Sequence, residues 1–205
     1  RDVERSRGLG DVYKRQVERP LGISYAAPEI LKGLSTEYSP IARVFYGYST
    51  SAVKSITLAP SNVLRMMNER GESPAVQSMS QTSGPIQIDV KTASPIRFWE
   101  GSVTFPLSIT VNNVGGGVVC PSVSDCESGQ RLNQLSLDVD GGNGVSITDC
   151  DTGAVELWQG KTNTMVCQAT ISALSDTSAS QRTLTITTRY GYYTDKVAKL
   201  TVRKR

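Results

Sequence analysis

Four cysteines are the side chains best placed to do chemistry in this chain: Cys120, Cys126, Cys150 and Cys167. The stretches between them are 5, 23 and 16 residues long, and the chain has no histidine. Zinc wants paired Cys-x2-Cys knuckles or histidine partners, so this spacing argues against a zinc site. An even number of cysteines in a small β-rich domain points to two disulfides and an oxidising, extracellular setting. Four buried free thiols are the alternative. Three pairings are open. The favoured one joins Cys120 to Cys126 around a surface loop and Cys150 to Cys167 between neighbouring strands, each bridge contributing about 2–4 kcal/mol.

The other reactive groups make a poor enzyme. Without histidine, neither a Ser-His-Asp nor a Cys-His device can be assembled. No Gly-x4-Gly-Lys-Ser/Thr phosphate loop occurs, and Gly115-Gly116-Gly117 follows a strand pattern with no helix to open. Glu100, Glu156, Asp138 and Asp149 could supply a carboxylate pair, but nothing in their spacing selects one. The expectation is a chain without catalysis or cofactor. Asp138, Asp140 and Asn143 are the metal candidates, because alternating oxygen ligands can converge on calcium. The glycine comes one place late for an EF-hand, however, and no closing glutamate follows. A plain hairpin over Asp138-Val139-Asp140-Gly141-Gly142-Asn143-Gly144 is the favoured reading. Asp149 and Asp151, which flank Cys150, read as strand-end caps. Among the aromatics, Phe98, Trp99, Trp158, Tyr192 and Tyr193 could form a sugar-stacking platform, with Trp99, Trp158 and Tyr193 as ligand candidates. Tyr190 and Tyr192 share one strand face, as do Tyr46 and Tyr48, and that phase favours packing over binding.

The elements that must position these groups are strands. Thr, Ser, Val and Gly are abundant and long helical periodicity is absent, the profile of an all-β chain with many turns. No run reaches the roughly 18 apolar residues of a membrane helix. Ile86, Ile88 and Val90 alternate with polar residues, as do Phe105, Leu107, Ile109 and Val111. Leu135, Leu137 and Val139 lead into the Gly141 to Gly144 turn, from which Val145 and Ile147 should return as a hairpin. Met165 to Ile171, Leu184 to Tyr193 and Lys196 to Val202 complete seven or eight short strands, spaced as in an immunoglobulin-type sandwich.

A long repeat sets the domain organisation. Tyr46-Gly47-Tyr48-Ser49-Thr50-Ser51-Ala52-Val53-Lys54-Ser55-Ile56-Thr57-Leu58 returns without a gap as Tyr190-Gly191-Tyr192-Tyr193-Thr194-Asp195-Lys196-Val197-Ala198-Lys199-Leu200-Thr201-Val202. The second copy closes the chain, so the first reads as the closing hairpin of a similar upstream module, with one strand over 43–48 and the next over 53–58. This predicts an upstream fragment over 17–62, a linker over 63–84 containing a short helix from Val63 to Arg70, and a complete sandwich over 85–205. Residues 1–16 resemble a translated sequencing adapter and are set apart from the fold. They hold five of the 22 Lys and Arg and three of the 19 Asp and Glu, leaving 17 against 16. With that near-neutral balance, composition gives no case for nucleic acid. The N-terminal sequence is expected to be incomplete, so a leader or membrane anchor could precede it.

Phe105-Pro106-Leu107-Ser108-Ile109-Thr110-Val111-Asn112-Asn113-Val114-Gly115 resembles the apolar-x-Val-x-Asn-x-Gly signature of the cell-adhesion-related immunoglobulin-like domains of bacterial and archaeal surface proteins. Leu157-Trp158-Gln159-Gly160 through Met165 is similar to their later Leu-x-x-Gly edge. The likeness covers residues 85–205, and the cysteines depart from the family pattern. It implies an immunoglobulin-like antiparallel β-sandwich in which the Asn and Gly are architectural. The implied role is a non-enzymatic structural or adhesion module of a tandem-repeat surface protein, contacting neighbouring modules and a surface protein or glycan. The rival expectations are a carbohydrate-binding module and a partner-binding component of an envelope or export assembly.

Overall fold

The computed structural model describes residues 26, 29, 33–99, 101–150, 152–172 and 178–203. Residues 1–16, Glu100 and Asp151 lie outside them. The strands are β1 (Ser35–Tyr38), β2 (Ile41–Pro60), β3 (Met79–Gln81), β4 (Ile86–Lys91), β5 (Ile96–Phe98), β6 (Ser102–Asn113), β7 (Val118–Cys120), β8 (Gln134–Asp140), β9 (Val145–Thr148), β10 (Gly153–Glu156), β11 (Thr162–Ser172), β12 (Ser180–Val197) and β13 (Leu200–Arg203). Two helices, α1 (Ser61–Glu69) and α2 (Val123–Ser128), interrupt them. No helix among the described residues is long and apolar enough to cross a membrane.

The chain divides into two units. In the smaller, β1 and β13 form an antiparallel ribbon with Ser35 opposite Arg203 and Tyr38 opposite Leu200. The larger unit, Pro40–Ala198, contains two sheets. One runs β10-β8-β12-β2-β3, with β5 beside β2 and β7 beside β12; the other runs β4-β6-β11-β9. Strict alternation puts one face of each sheet into a shared core, because successive side chains point to opposite sides. From β6 come Phe105, Leu107, Ile109 and Val111; from β12, Leu184, Ile186, Tyr190 and Tyr192; from β2, Ile56 and Leu58. The protein is therefore all-β, with antiparallel sheets packed through their inner faces.

Among the described residues one core hydroxyl is uncompensated. Thr188 is fully buried, and its Oγ1 has no hydrogen-bond partner. Its cross-strand neighbours are Leu137 and Thr50, and Thr50 shares its own hydroxyl with Tyr190 at 2.9 Å. A buried hydroxyl without a bond is costly, and an apolar group of the same shape removes that cost. Thr188→Val is therefore expected to stabilise the fold by about 1 kcal/mol, read as a higher urea midpoint at unchanged slope. A lowered midpoint would show that the hydroxyl is bonded.

Three expectations about organisation are corrected. First, the Tyr-Gly-Tyr repeat does not mark a separate upstream module ending at residue 62. β2 pairs antiparallel with β12 along its length, with Tyr46 opposite Tyr192, Gly47 opposite Gly191 and Tyr48 opposite Tyr190. The two copies are partners in one sheet, because the same alternation read in opposite directions is complementary. The 63–84 segment is likewise no free linker: after α1 the chain returns as β3 beside Ala52–Lys54. Second, neither copy is a hairpin. No Gly, Pro or Asn interrupts Ser49 to Ala52 or Thr194 to Val197, so the first copy runs on as a single strand, while the second runs on to Val197, breaks at Ala198 and Lys199, and continues as β13, which pairs with β1 and not back on β12. Third, Gly141 to Gly144 is a crossing between sheets. β8 has both edges taken, by β10 and β12, so β9 pairs with β11 in the opposite sheet. A two-residue Asn-Gly hairpin needs positive φ at Asn143 as well as Gly144, whereas here Gly142 and Gly144 take it. The short helix falls close to its expected place, with Leu64 and Met67 half-buried.

Candidate functional site

All four cysteines are bridged: Cys120 to Cys126 with Cα atoms 5.4 Å apart, and Cys150 to Cys167 with Cα atoms 4.5 Å apart. Cys167 is wholly buried in the main core, and its bridge ties the chain just after β9 to β11. The other bridge fastens α2. Ser122 caps this short helix, accepting the Asp125 N–H at 3.2 Å, and Gly129 ends it in the left-handed region. The Asp125 carboxylate accepts the Ser122 hydroxyl at 2.6 Å and Arg131 at 2.7 Å. Those hydrogen bonds, from Ser122 first and then Arg131, hold its pKa below the ordinary carboxylate value.

α2 lies against the Gly47–Gly191 pair. A Cβ on Gly191 would run into the Ser122 carbonyl and the Val123 nitrogen. Beside this seat Phe45, Tyr193 and Val118 pack on the Cys120–Cys126 bridge. Arg43 lies 4.3 Å above the Tyr193 ring and donates twice to Asp195, at 2.6 and 2.7 Å. Tyr193, a ligand candidate in the sequence, is thus 9% exposed and committed to packing. The sequence reading missed α2. Ser122 three residues before Asp125, with Gly129 beyond, is a start-and-stop signal that could have revealed it.

On the inner face, the four tyrosines of the repeat pack as a ladder, Tyr46 against Tyr192 at 5.5 Å and Tyr48 against Tyr190 at 5.9 Å. Burial raises the pKa of the Tyr46, Tyr190 and Tyr192 phenols. The Tyr192 hydroxyl donates to Asn113 Oδ1 at 2.9 Å and accepts the Gly117 N–H at 2.7 Å. Asn113 Nδ2 donates to the Gly117 and Gly160 carbonyls. Asn113 therefore joins the end of β6, its glycine turn and the β10–β11 turn.

The five-ring platform is not assembled. Phe98 and Tyr192 are buried. Trp99 and Trp158 are exposed, at 83% and 73%, but at opposite ends of β6. Trp99 lies three residues before that strand, whereas Trp158 bridges to Thr162, which faces Asn112 near the other end. The Trp158 turn is firmly held. Its N–H donates to the Thr162 carbonyl at 2.8 Å, Lys161 N–H donates back to Trp158 at 3.0 Å, and Leu157 N–H reaches Asn133 at 2.7 Å. Gly160 suits this turn because its φ is +68°, a backbone conformation that side-chain-bearing residues rarely adopt. A cleft of ≈ 670 Å³ borders the indole, lined by Glu156, Gln159, Thr162, Asn163 and Thr164. A second of ≈ 670 Å³ adjoins it across Gln159 and includes Asn112, Asn133 and Lys161.

Asp138 and Asp140 lie on the outer face of β8, and Asp140 Oδ1 accepts the Gly142 N–H at 2.8 Å. Asn143 is exposed. Among the described residues no group of three or more His, Cys, Asp or Glu side chains could hold a metal. Asp149 sits at positive φ beside the Cys150 bridge, and Glu156 borders the indole cleft. No protein-family model matches the chain, and no curated protein or solved structure matches it either.

Proposed function

We propose that this chain is a non-enzymatic structural or adhesion module of an extracellular or cell-surface protein, with an immunoglobulin-like sandwich fold. The observation that carries the reading is the pairing of all four cysteines into two bridges, because such bridges persist in oxidising compartments and are rare in reducing ones. Two facing antiparallel sheets support the sandwich part. The polar groups nearest the core support the structural part. Asn113, Tyr192 and Asp125 are each spent on joining elements, which leaves them unsuited to turning over a substrate.

The test is chemical. Exported to an oxidising compartment, the chain should have an intact mass about four units below its reduced form and take up no alkylating reagent before reduction. Four alkylated thiols after export would sink the reading. Turnover of an ester, glycoside or peptide substrate that is abolished by replacing one carboxylate would sink it equally.

A further inference from the structure

We propose that the turn around Trp158 binds a neutral sugar, with one pyranose ring lying flat on the indole. The inference rests on the module reading for its setting and supplies the contact chemistry that reading leaves open. An indole left 73% exposed forgoes the burial that normally holds such a side chain in place. Trp158 is nonetheless set on a rigid turn, closed by its own two backbone bonds to Thr162 and Lys161 and anchored to Asn133 through Leu157. The turn is further tied to β6 by Asn113 Nδ2, which holds the Gly160 carbonyl at 3.0 Å. The backbone that carries the ring is thus already ordered when a ligand arrives, leaving only the two side-chain torsions of Trp158 to fix, which lowers the entropic cost of binding.

The surroundings select the ligand. Beside the ring stand Gln159 and Asn163, and Asn112 and Asn133 line the cleft that adjoins it across Gln159, side-chain amides that each offer donors and an acceptor. A sugar needs that combination: its C–H face is apolar and stacks on an aromatic ring, while its hydroxyls each donate and accept. Asn163 already gives its Nδ2 to the Glu156 carbonyl at 2.6 Å, which fixes the amide plane and leaves Oδ1 to accept. The two charges bordering the clefts, Glu156 and Lys161, are opposite in sign. They create no net field to draw an anionic or cationic ligand, and they speak against a nucleotide, whose base could stack but whose phosphates would lack a cation cluster. A protein partner would want further apolar anchors beside the indole, and the other side chains lining its cleft are mostly amides, hydroxyls and a carboxylate.

The full chain would be tested on insoluble cellulose, chitin, xylan and mannan and on an array of neutral oligosaccharides. At least one should retain it. Trp158→Ala should weaken that binding at least tenfold, Asn112→Ala should weaken it several-fold, and Trp99→Ala, at the far end of β6, should match the parent. With Trp99→Phe leaving Trp158 as the sole indole, the same glycan should quench and shift its emission. The proposal is overturned if Trp158→Ala binds as the parent does, if no neutral glycan is bound, or if binding follows Lys161→Ala and salt. A parent that binds no sugar but emerges from export with both bridges fails this inference and leaves the module reading standing. Sugar binding by a chain with four free thiols would do the reverse.

Discussion

Removing the Cys150–Cys167 bridge by the double change Cys150→Ala and Cys167→Ala is expected to lower stability by about 3 kcal/mol. The bridge closes a loop of sequence separation 17, against 6 for Cys120–Cys126. In the chain-entropy account a cross-link acts on the unfolded chain, and the effect grows with the logarithm of loop length, giving about 3 kcal/mol for the longer loop and about 2 for the shorter. Cys167 is also fully buried, so its truncation opens a small void that adds to the loss. Reducing both bridges should then remove about 5 kcal/mol, against the roughly 5–15 kcal/mol that holds a typical domain folded. At about 2–4 °C per kcal/mol for a chain of this size, the melting temperature should fall by about 10–20 °C in reductant. The denaturant slope should rise as well, since an uncrosslinked chain exposes more surface on unfolding. An unchanged melting temperature, with four titratable thiols confirmed, would remove the bridges from the account of stability.

The bridges were legible because they depend on local facts: four cysteines, no histidine, and spacings that fit a loop and a strand pair. The core strands were legible for a similar reason. Ile86, Ile88 and Val90, or Phe105 through Val111, announce a buried face by alternation alone, whatever lies opposite. What could not be read was which strand meets which. A repeated Tyr-Gly-Tyr pattern fits two tandem modules as well as two antiparallel partners in one sheet, and only the pairing of β2 with β12 separates these. The Gly141 to Gly144 turn was misread for the same cause: a hairpin looks right until both edges of β8 are seen to be occupied. The candidate site shows the same limit. Trp99 and Trp158 were named together, yet the length of β6 lies between them. Tyr193 looked available until its side of the sheet proved to be covered by α2 and the Cys120–Cys126 bridge.

That covered face yields a sharper expectation, because the two central glycines of the repeat are directly opposed in one strand pair and should still behave differently. Gly191→Ala should cost about 2–3 kcal/mol, whereas Gly47→Ala should change stability by less than about 0.5 kcal/mol. At Gly47 an added Cβ would find only the Val123 Cγ2, at 3.7 Å, an ordinary contact. At Gly191 it would strike the Ser122 carbonyl and the Val123 nitrogen, backbone atoms that no side-chain rotation can move aside. Nor can that backbone retreat. Cys120 pairs with Gly191 itself through β7, and the bridge from Cys120 to Cys126 holds α2 at both ends of the short loop. The clash and the bridge are therefore coupled. In a Cys120→Ala and Cys126→Ala background α2 can lift, and the cost of Gly191→Ala should shrink by about 1 kcal/mol or more in a double-mutant cycle. Equal costs with and without the bridge would mean that α2 is seated by something other than its cross-link, and equal effects at Gly47 and Gly191 would mean that α2 does not rest on this pair.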